Sequence, residues 1–475
     1  MSRRSISNAN GCADFQQNLR AKLSRRELFQ IGGVSLLSPA LINVIAGQAT
    51  AAKSVPRIKS CLMLFQAGGI SQIDTVDMKP AADDTIRGEF TPISSRVAGM
   101  PVCEHLPHLS QHMDKFCVLR SVHHRMLCHN PAIYAALAGR EVGDSLAVSN
   151  RTFANPEDFP HFGSVVSKFI KPPEGMPPFV SFPFRLRNGP APSPGQNAGF
   201  LGRPHDPFIM LQDPNSDEFR VEELELSHDM TPLRLDRRNQ LLANFEQQIR
   251  AVEQTKVVDS YTDYYKTAFS LISGQRVRTA FDMSQEPHDR RDKYGRNTVG
   301  QSFVLGRRLI EAGIPFVSVY TPCDNIDGPS WDTHLNNFPR LKDELLPPFD
   351  LALSALIDDM HQSGLLEETL VIVATEFGRT PQIGVRRSNN GNNSTGRDHW
   401  PGCYSVLLAG AGVTPGSYFG ESDKVGWHPK SDPVHVGDLA ATIYDAFGID
   451  PKQFVRDTLN RPHLLAEGNP VAGLF

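Results

Sequence analysis

Four short runs are apolar from end to end: "SCLMLFQ" (Ser60 to Gln66), "FVSVY" (Phe316 to Tyr320), "TLVIVAT" (Thr369 to Thr375) and "YSVLLAG" (Tyr404 to Gly410). None alternates polar with apolar residues, so each must be covered on both faces, as the strands of a parallel sheet are. Helical periodicity fills the intervals between them. Val299, Phe303, Gly306 and Ile310 share one face before Gly313, and Leu353, Leu356, Ile357 and Met360 share one before Gly364. Leu439, Ile443, Ala446 and Phe447 do so before Gly448, and Leu242, Phe245, Ile249 and Val252 mark an earlier amphipathic helix. Each closing glycine suits a left-handed helix cap. Strand and helix in alternation predict an α/β fold, a doubly wound and mainly parallel sheet with helices on both faces.

The chain of 475 residues is long enough for one large domain or two, and 40% hydrophobic with 21% charged residues is ordinary globular composition. From about 142 to 235 the periodicity fails and Pro, Gly and Asn dominate, as in "KPPEGMPPF". We expect an irregular insertion covering part of the sheet, with an interdomain linker as the other option. A net charge of -4 and no long basic run in the body exclude an electrostatic nucleic-acid binder.

The first segment differs in kind. Ser24, Arg25 and Arg26 precede an uncharged stretch from Phe29 that ends at Ala49, Thr50 and Ala51, resembling a twin-arginine export signal cut after Ala51. A retained amphipathic or anchoring helix is the alternative. Domain organisation is then 1–51 signal and 52–475 a single α/β domain, exported to the periplasm or beyond. No later segment reaches the roughly 18 apolar residues a membrane span needs. Cys12 leaves with the signal. Cys61, Cys103, Cys117, Cys128, Cys323 and Cys403 remain, an even number but with no C-x-x-C pair, hence no thiolate zinc site.

In open α/β sheets, ligands bind beyond the carboxyl ends of the strands. After the first run, "QAGGISQIDTVDMKP" offers Gly68 and Gly69 for close backbone approach, with Ser71, Asp74 and Asp77 as polar groups; Asp77 also suits a plain solvated turn. After the second, "GPSWDTHLNNF" places Asp332 and His334 two apart, on one side of an extended loop, where both could reach one metal ion. After the third, "EFGRTP" puts Glu376 at a strand end, where an unpaired carboxylate is costly, with Arg379 as its partner or as an anion-binding group. Before the fourth, "GRDHWP" offers His399 as a ligand and Asp398 as a ligand or supporting partner. "HHRMLCHNPAIYAALAGR" holds His123, His124, His129 and Asn130 before a helix expected from Pro131, whose start favours an anion. Oxygen and nitrogen donors without cysteine suit Zn, Mn, Mg or Ca.

"GGISQIDTVDMKP", "RGEF", "CEHLP", "YAALAGR", "WDTH", "TLVIVATEFGRTP" and "GRDHWP", seven blocks in order from about Cys61 to about Asp450, resemble the exported family catalogued as domain of unknown function 1501. That family is similar in fold to the alkaline phosphatase and sulfatase superfamily, whose members hydrolyse phosphate or sulfate esters with one or two divalent metals and a nucleophile at a helix start. The resemblance implies metal ligands at Asp332, His334 and His399, with Glu376 where the superfamily usually has aspartate and Phe377 where it often has histidine or asparagine. The nucleophile position holds His129, with Cys128 one place off and Ala132 and Ile133 after the proline. The "QAGG" stretch lacks the superfamily's metal-binding aspartate at the end of the first strand.

Together these point to an exported, metal-dependent hydrolase of sulfate or phosphate esters, acting on a small molecule or polysaccharide. A divalent ion is expected among Asp332, His334, Glu376, Asp398, His399 and Asp74. The expected anion site is Ser71, Asn130 and Arg379, and His129 and Arg379 are the expected catalytic groups. The alternative is a non-catalytic exported protein binding glycan or another partner on the same fold.

Overall fold

The computed structural model describes residues 56–475 except 151, 190, 324–326, 389–393 and most of 226–273. The expected export segment and the helix through Leu242, Phe245, Ile249 and Val252 lie outside the described residues.

The four apolar runs are strands, and five more segments join them. In chain order the principal sheet comprises β1 (Ser60–Phe65), β2 (Phe116–His123), β3 (Phe179–Phe182), β4 (Phe208–Ile209), β5 (Phe316–Tyr320), β6 (Thr369–Ala374), β7 (Tyr404–Ala409), β8 (Ser417–Phe419) and β9 (Val434–His435). Among the described residues they run β8-β2-β7-β6-β1-β5-β3-β4, and β9 extends the β8 side of β2. β1 lies between β5 and β6, parallel to both. The sequence reading needs a correction at β7: "YSVLLAG" is antiparallel to both β6 and β2. A buried strand has the same apolar composition whichever way it runs, so composition does not carry its direction. The stretch from 142 to 235 is not wholly irregular either, since it supplies β3, β4 and a helix.

Strand alternation assigns the side chains to two cores. Leu62 and Leu64 of β1, Val317 and Val319 of β5, and Val371 and Val373 of β6 face one side. There they meet Phe303 and Leu309 of α3 (Thr298–Glu311) and Leu353, Leu356 and Ile357 of α4 (Leu346–Gln362). Cys61, Met63, Phe65, Leu370 and Ile372 face the other. They are covered by Ile133 and Leu137 of α1 (His129–Ala138), Phe162 and Val166 of α2 (Phe162–Phe169), and Leu439 and Ile443 of α5 (Val436–Ala446). Gly306 lets α3 sit close on the sheet: a Cβ there would lie 3.1 Å from Leu62 and 3.3 Å from Val319.

No helix of the described residues is long and apolar enough to cross a membrane. The six cysteines from Cys61 to Cys403 are all free and buried.

Leu62 is fully buried at the centre of the first core. Leu62→Ala should lower the unfolding free energy by about 2–5 kcal/mol, read from urea unfolding followed by circular dichroism.

Candidate metal centre

Strand order brings the candidate residues together. Because β5, β1 and β6 are adjacent and parallel, the chain emerges from all three at one edge. Asp332 and His334 follow β5, Gly68 follows β1 and Glu376 follows β6. β2 points the same way and delivers His129 at the start of α1, while antiparallel β7 begins at this edge and is preceded by His399. A short ladder pairs His399 with Arg379 and Trp400 with Gly378, fixing the last histidine to the β6 loop.

Three imidazoles converge on one carboxylate. Asp332 Oδ1 lies 3.0 Å from His334 Nε2 and 3.1 Å from His399 Nε2, and Asp332 Oδ2 lies 3.4 Å from His129 Nε2. His334 Nε2 and His399 Nε2 are 2.9 Å apart. The far nitrogen of each ring faces an oxygen. His129 Nδ1 is 2.8 Å from Glu376 Oε1, His399 Nδ1 is 2.8 Å from the Leu127 carbonyl and His334 Nδ1 is 3.4 Å from Asp398 Oδ1. A carbonyl or carboxylate oxygen only accepts, so the hydrogen of the His129 and His399 rings belongs on Nδ1, and Nε2 presents a lone pair. Ring N–H groups held by a carboxylate or a backbone carbonyl are the usual support of metal-ligating histidines.

Lone pairs facing a carboxylate repel unless a cation or proton lies between them. The spacing fits a cation: bonds of about 2.0–2.1 Å in a tetrahedron put neighbouring donors about 3.3 Å apart. The separations of 2.9 to 3.4 Å bracket that value. His129, Asp332 and His399 form one donor set that could hold a divalent ion, and His334, Asp398 and His399 form a second that shares His399 with it.

The electrostatics agree. Burial would raise the Asp332 carboxyl, but the Arg379 guanidinium, 2.5 Å away, and His129 hold it well below the ordinary carboxylate range. Burial and the neighbouring His129 push His399 down to about 3, which keeps it neutral with its lone pair free. Burial also opposes charge on His129, yet Cys323 and Asp332 raise it well above the usual imidazole value. Without an ion, a proton on His129 supplies the positive charge that the two carboxylates beside it call for. Phe377 stacks on His399 at 4.2 Å between ring centroids and walls the cluster from the interior.

These contacts also place the other expected site residues. Glu376 is fully buried, accepts from the Gly68 amide and from His129, and has an oxygen close enough to His129 and Cys323 for the three to share an ion. Asp398 accepts from the amides of Arg387, Ser388 and His399, tying its loop down behind His334. Asp74 is remote from the ion's place: it forms a fully buried bidentate pair with Arg397, both contacts 2.8 Å, and accepts from Ser71 and Asn337. Ser71 is thereby consumed as well. Asn130 bonds Asn150 and Ser193 inside the protein. Arg379 spends its donors on the carbonyls of Gly68, Gly69, Trp331 and Arg397 and on Asp332, and it is fully buried, so it anchors Asp332 and has no reach to an anion. His129 is fully enclosed, with Nδ1 held by Glu376 and Nε2 facing Asp332 without a hydrogen-bond partner.

Two contributors were missed in the sequence: Arg397 neutralises Asp74, and Cys323 adjoins His129 and Glu376 with its thiol pushed up to about 11 by burial. Gly68 makes the close backbone approach expected of it and admits the Asp332 loop: at φ +111°, a Cβ would lie 2.4 Å from the Asp332 amide nitrogen. Asp332 and His334 open on a cleft of about 840 Å³ walled by Leu335, Asn336, Arg340 and Glu344.

Fold and site together define an α/β protein with a buried histidine and aspartate cluster at the carboxyl edge of its sheet, able to hold a metal ion. The chain belongs to the family described as protein of unknown function, DUF1501, whose model matches residues 58–475. No curated protein matches it. Among solved structures, it is similar to a protein in the alkaline phosphatase superfamily from Vibrio parahaemolyticus, with 13% identity, 85% of this chain and 69% of that one covered and a TM-score of 0.40. It is also similar to a phosphonate monoester hydrolase from Silicibacter pomeroyi (13%, 87% and 75%, 0.33) and to the lipoteichoic acid synthase LtaP from Listeria monocytogenes (9%, 83% and 73%, 0.30). At scores this low the likeness carries no argument about activity.

The reassignment of Asp74 is testable. Asp74→Asn leaves Arg397 buried without its counter-charge and should cost about 3–5 kcal/mol in urea unfolding. The protein that remains folded should still bind zinc like the parent in equilibrium dialysis; loss of zinc from that folded fraction would return Asp74 to the metal site.

Proposed function

We propose that this chain is an exported metal-dependent hydrolase of sulfate or phosphate esters. The observation that carries the proposal is the convergence of His129, His334 and His399 Nε2 on Asp332, each ring backed by an oxygen at Nδ1. Donor sets of two imidazoles and one carboxylate favour a transition ion such as zinc over calcium or magnesium, which prefer oxygen. A bound ion there supplies Lewis acidity and lowers the pKa of a water molecule.

This chain's own residues do the rest. Asp332 and His334 are the members of the set that reach the open cleft, so the ester enters on their side. Arg379 holds Asp332 ionised and in place, and Glu376 orients His129. No Ser, Thr or Cys is among the described residues that line the cleft, and water is the attacking group in this scheme. The resemblance to the alkaline phosphatase and sulfatase superfamily supplies the ester class, and the twin-arginine resemblance of residues 1–51 supplies export of an already folded, ion-loaded protein.

Residues 52–475, purified after exposure to zinc or manganese, should retain about one ion per chain by elemental analysis. His334→Ala and His399→Ala should lose it while keeping the parent's circular dichroism. The loaded protein should turn over 4-nitrophenyl sulfate, phosphate or a phosphonate monoester, and His334→Ala should lower kcat/KM by at least 100-fold, about 2.7 kcal/mol. An ion-free parent overturns the metal site. A loaded parent inert on all three esters favours the non-catalytic binding protein.

A further inference from the structure

A second chamber, about 300 Å³, adjoins the cleft and shares Gly328, Pro329 and Glu344 with it. Trp331, next in sequence to Asp332, forms part of its wall, with Phe184, Phe303, Tyr320 and Phe349 supplying further rings. A volume of this order suits a single ring and its substituents.

Two polar groups inside this apolar wall have unmet hydrogen-bonding capacity. Gln66 is 1% exposed, and its Oε1 lies 3.1 Å from Trp331 Nε1. An indole N–H only donates, so the Gln66 amide is fixed with oxygen toward the tryptophan, and Nε2 is left without a partner. Ser302, also 1% exposed, lies on the first turns of α3 with Oγ unpartnered. Both line the chamber. Buried polar atoms left unpaired cost about 1–3 kcal/mol each, a cost that a ligand supplying an oxygen would remove.

Charge narrows the occupant. Among the described residues no lysine or arginine lines the chamber, and its ionisable groups are acidic: Glu344, and Asp327 paired with Arg187 at 2.7 Å. An anion is therefore excluded from this space, whereas a neutral ring is not.

We infer that the chamber behind Trp331 binds the uncharged organic part of the substrate, a ring bearing a hydroxyl or carbonyl oxygen that accepts from Gln66 Nε2 and pairs with Ser302. The assignment of that ring to a substrate rests on the hydrolase reading. The chamber's capacity to bind it does not.

The test separates the two. Benzyl alcohol is titrated into the mature chain by saturation-transfer NMR, with benzoate as its anionic counterpart, on ion-loaded and on chelator-treated protein. Benzyl alcohol should bind both forms, and benzoate at least tenfold more weakly. Ser302→Leu, which fills the chamber, and Val299→Phe, which narrows it from a half-buried position, should each weaken benzyl alcohol at least tenfold. Gln66→Met, which removes the donor, should weaken it about fivefold. No transfer to benzyl alcohol in the parent, equal binding of benzoate, or undiminished binding in both filled variants would overturn the inference. On any acid ester that the parent hydrolyses, its preference for the benzyl over the methyl ester should fall at least tenfold in Ser302→Leu, and an unchanged preference would overturn the link to the substrate. An inactive parent that still binds benzyl alcohol in this way fails the hydrolase reading alone.

Discussion

The rest of the site depends on one electrostatic arrangement: the Asp332 carboxylate, half-buried at the edge of the sheet, faces the lone pairs of imidazole nitrogens. Such an arrangement is repulsive by itself in a medium of low dielectric. It persists because Arg379 stands on one side of the carboxylate and because Glu376 and the Leu127 carbonyl hold the His129 and His399 rings from behind. Arg379 is held in turn by four backbone carbonyls, so the guanidinium is part of the framework and leaves the site its excess of negative charge. A cation at the centre satisfies every group that points there.

The fold supplies this arrangement through strand order more than through any local motif. β5, β1 and β6 side by side place Asp332, Gly68 and Glu376 in a row, and a side chain at position 68 would close the gap into which the Asp332 backbone fits. The antiparallel course of β7 is what lets the residues before it, and not those after it, reach the same edge. Had β7 run parallel, His399 would lie at the opposite end of the sheet. Behind this first layer, the buried Asp74 and Arg397 pair ties the loop after β1 to the segment carrying Asp398 and His399. It contributes position without contributing a ligand.

Much of this was legible in the sequence, and the failures have physical causes. Continuous apolar runs and glycine-ended helices identified the α/β class and four of the strands, because burial on both faces leaves a compositional trace. Strand β2 was missed: Arg120, Ser121 and His123 interrupt its apolar character although it is mostly buried. Asp332, His334 and His399 were picked out by spacing and by their places near strand ends, and the structure gathers them. What residue type cannot express is whether a polar group's partner is a ligand or another part of the protein. Asp74, Ser71, Asn130 and Arg379 all looked available, and each is satisfied internally by a residue distant in sequence. The contact between Glu376 and His129 was hidden for the same reason. A carboxylate beside a ring N–H serves the ring, and the ring's other nitrogen becomes the ligand.

The central claim is that the cluster of His129, Asp332, His334 and His399 holds a cation. Crystals of residues 52–475 grown with zinc, and diffraction data collected on both sides of the zinc absorption edge, address it without reference to any substrate. The account predicts a strong anomalous peak within bonding distance of His399 Nε2 and of at least two further donors of the sets that share it. An anomalous map empty at that point, with the rings still closed on Asp332, would contradict it.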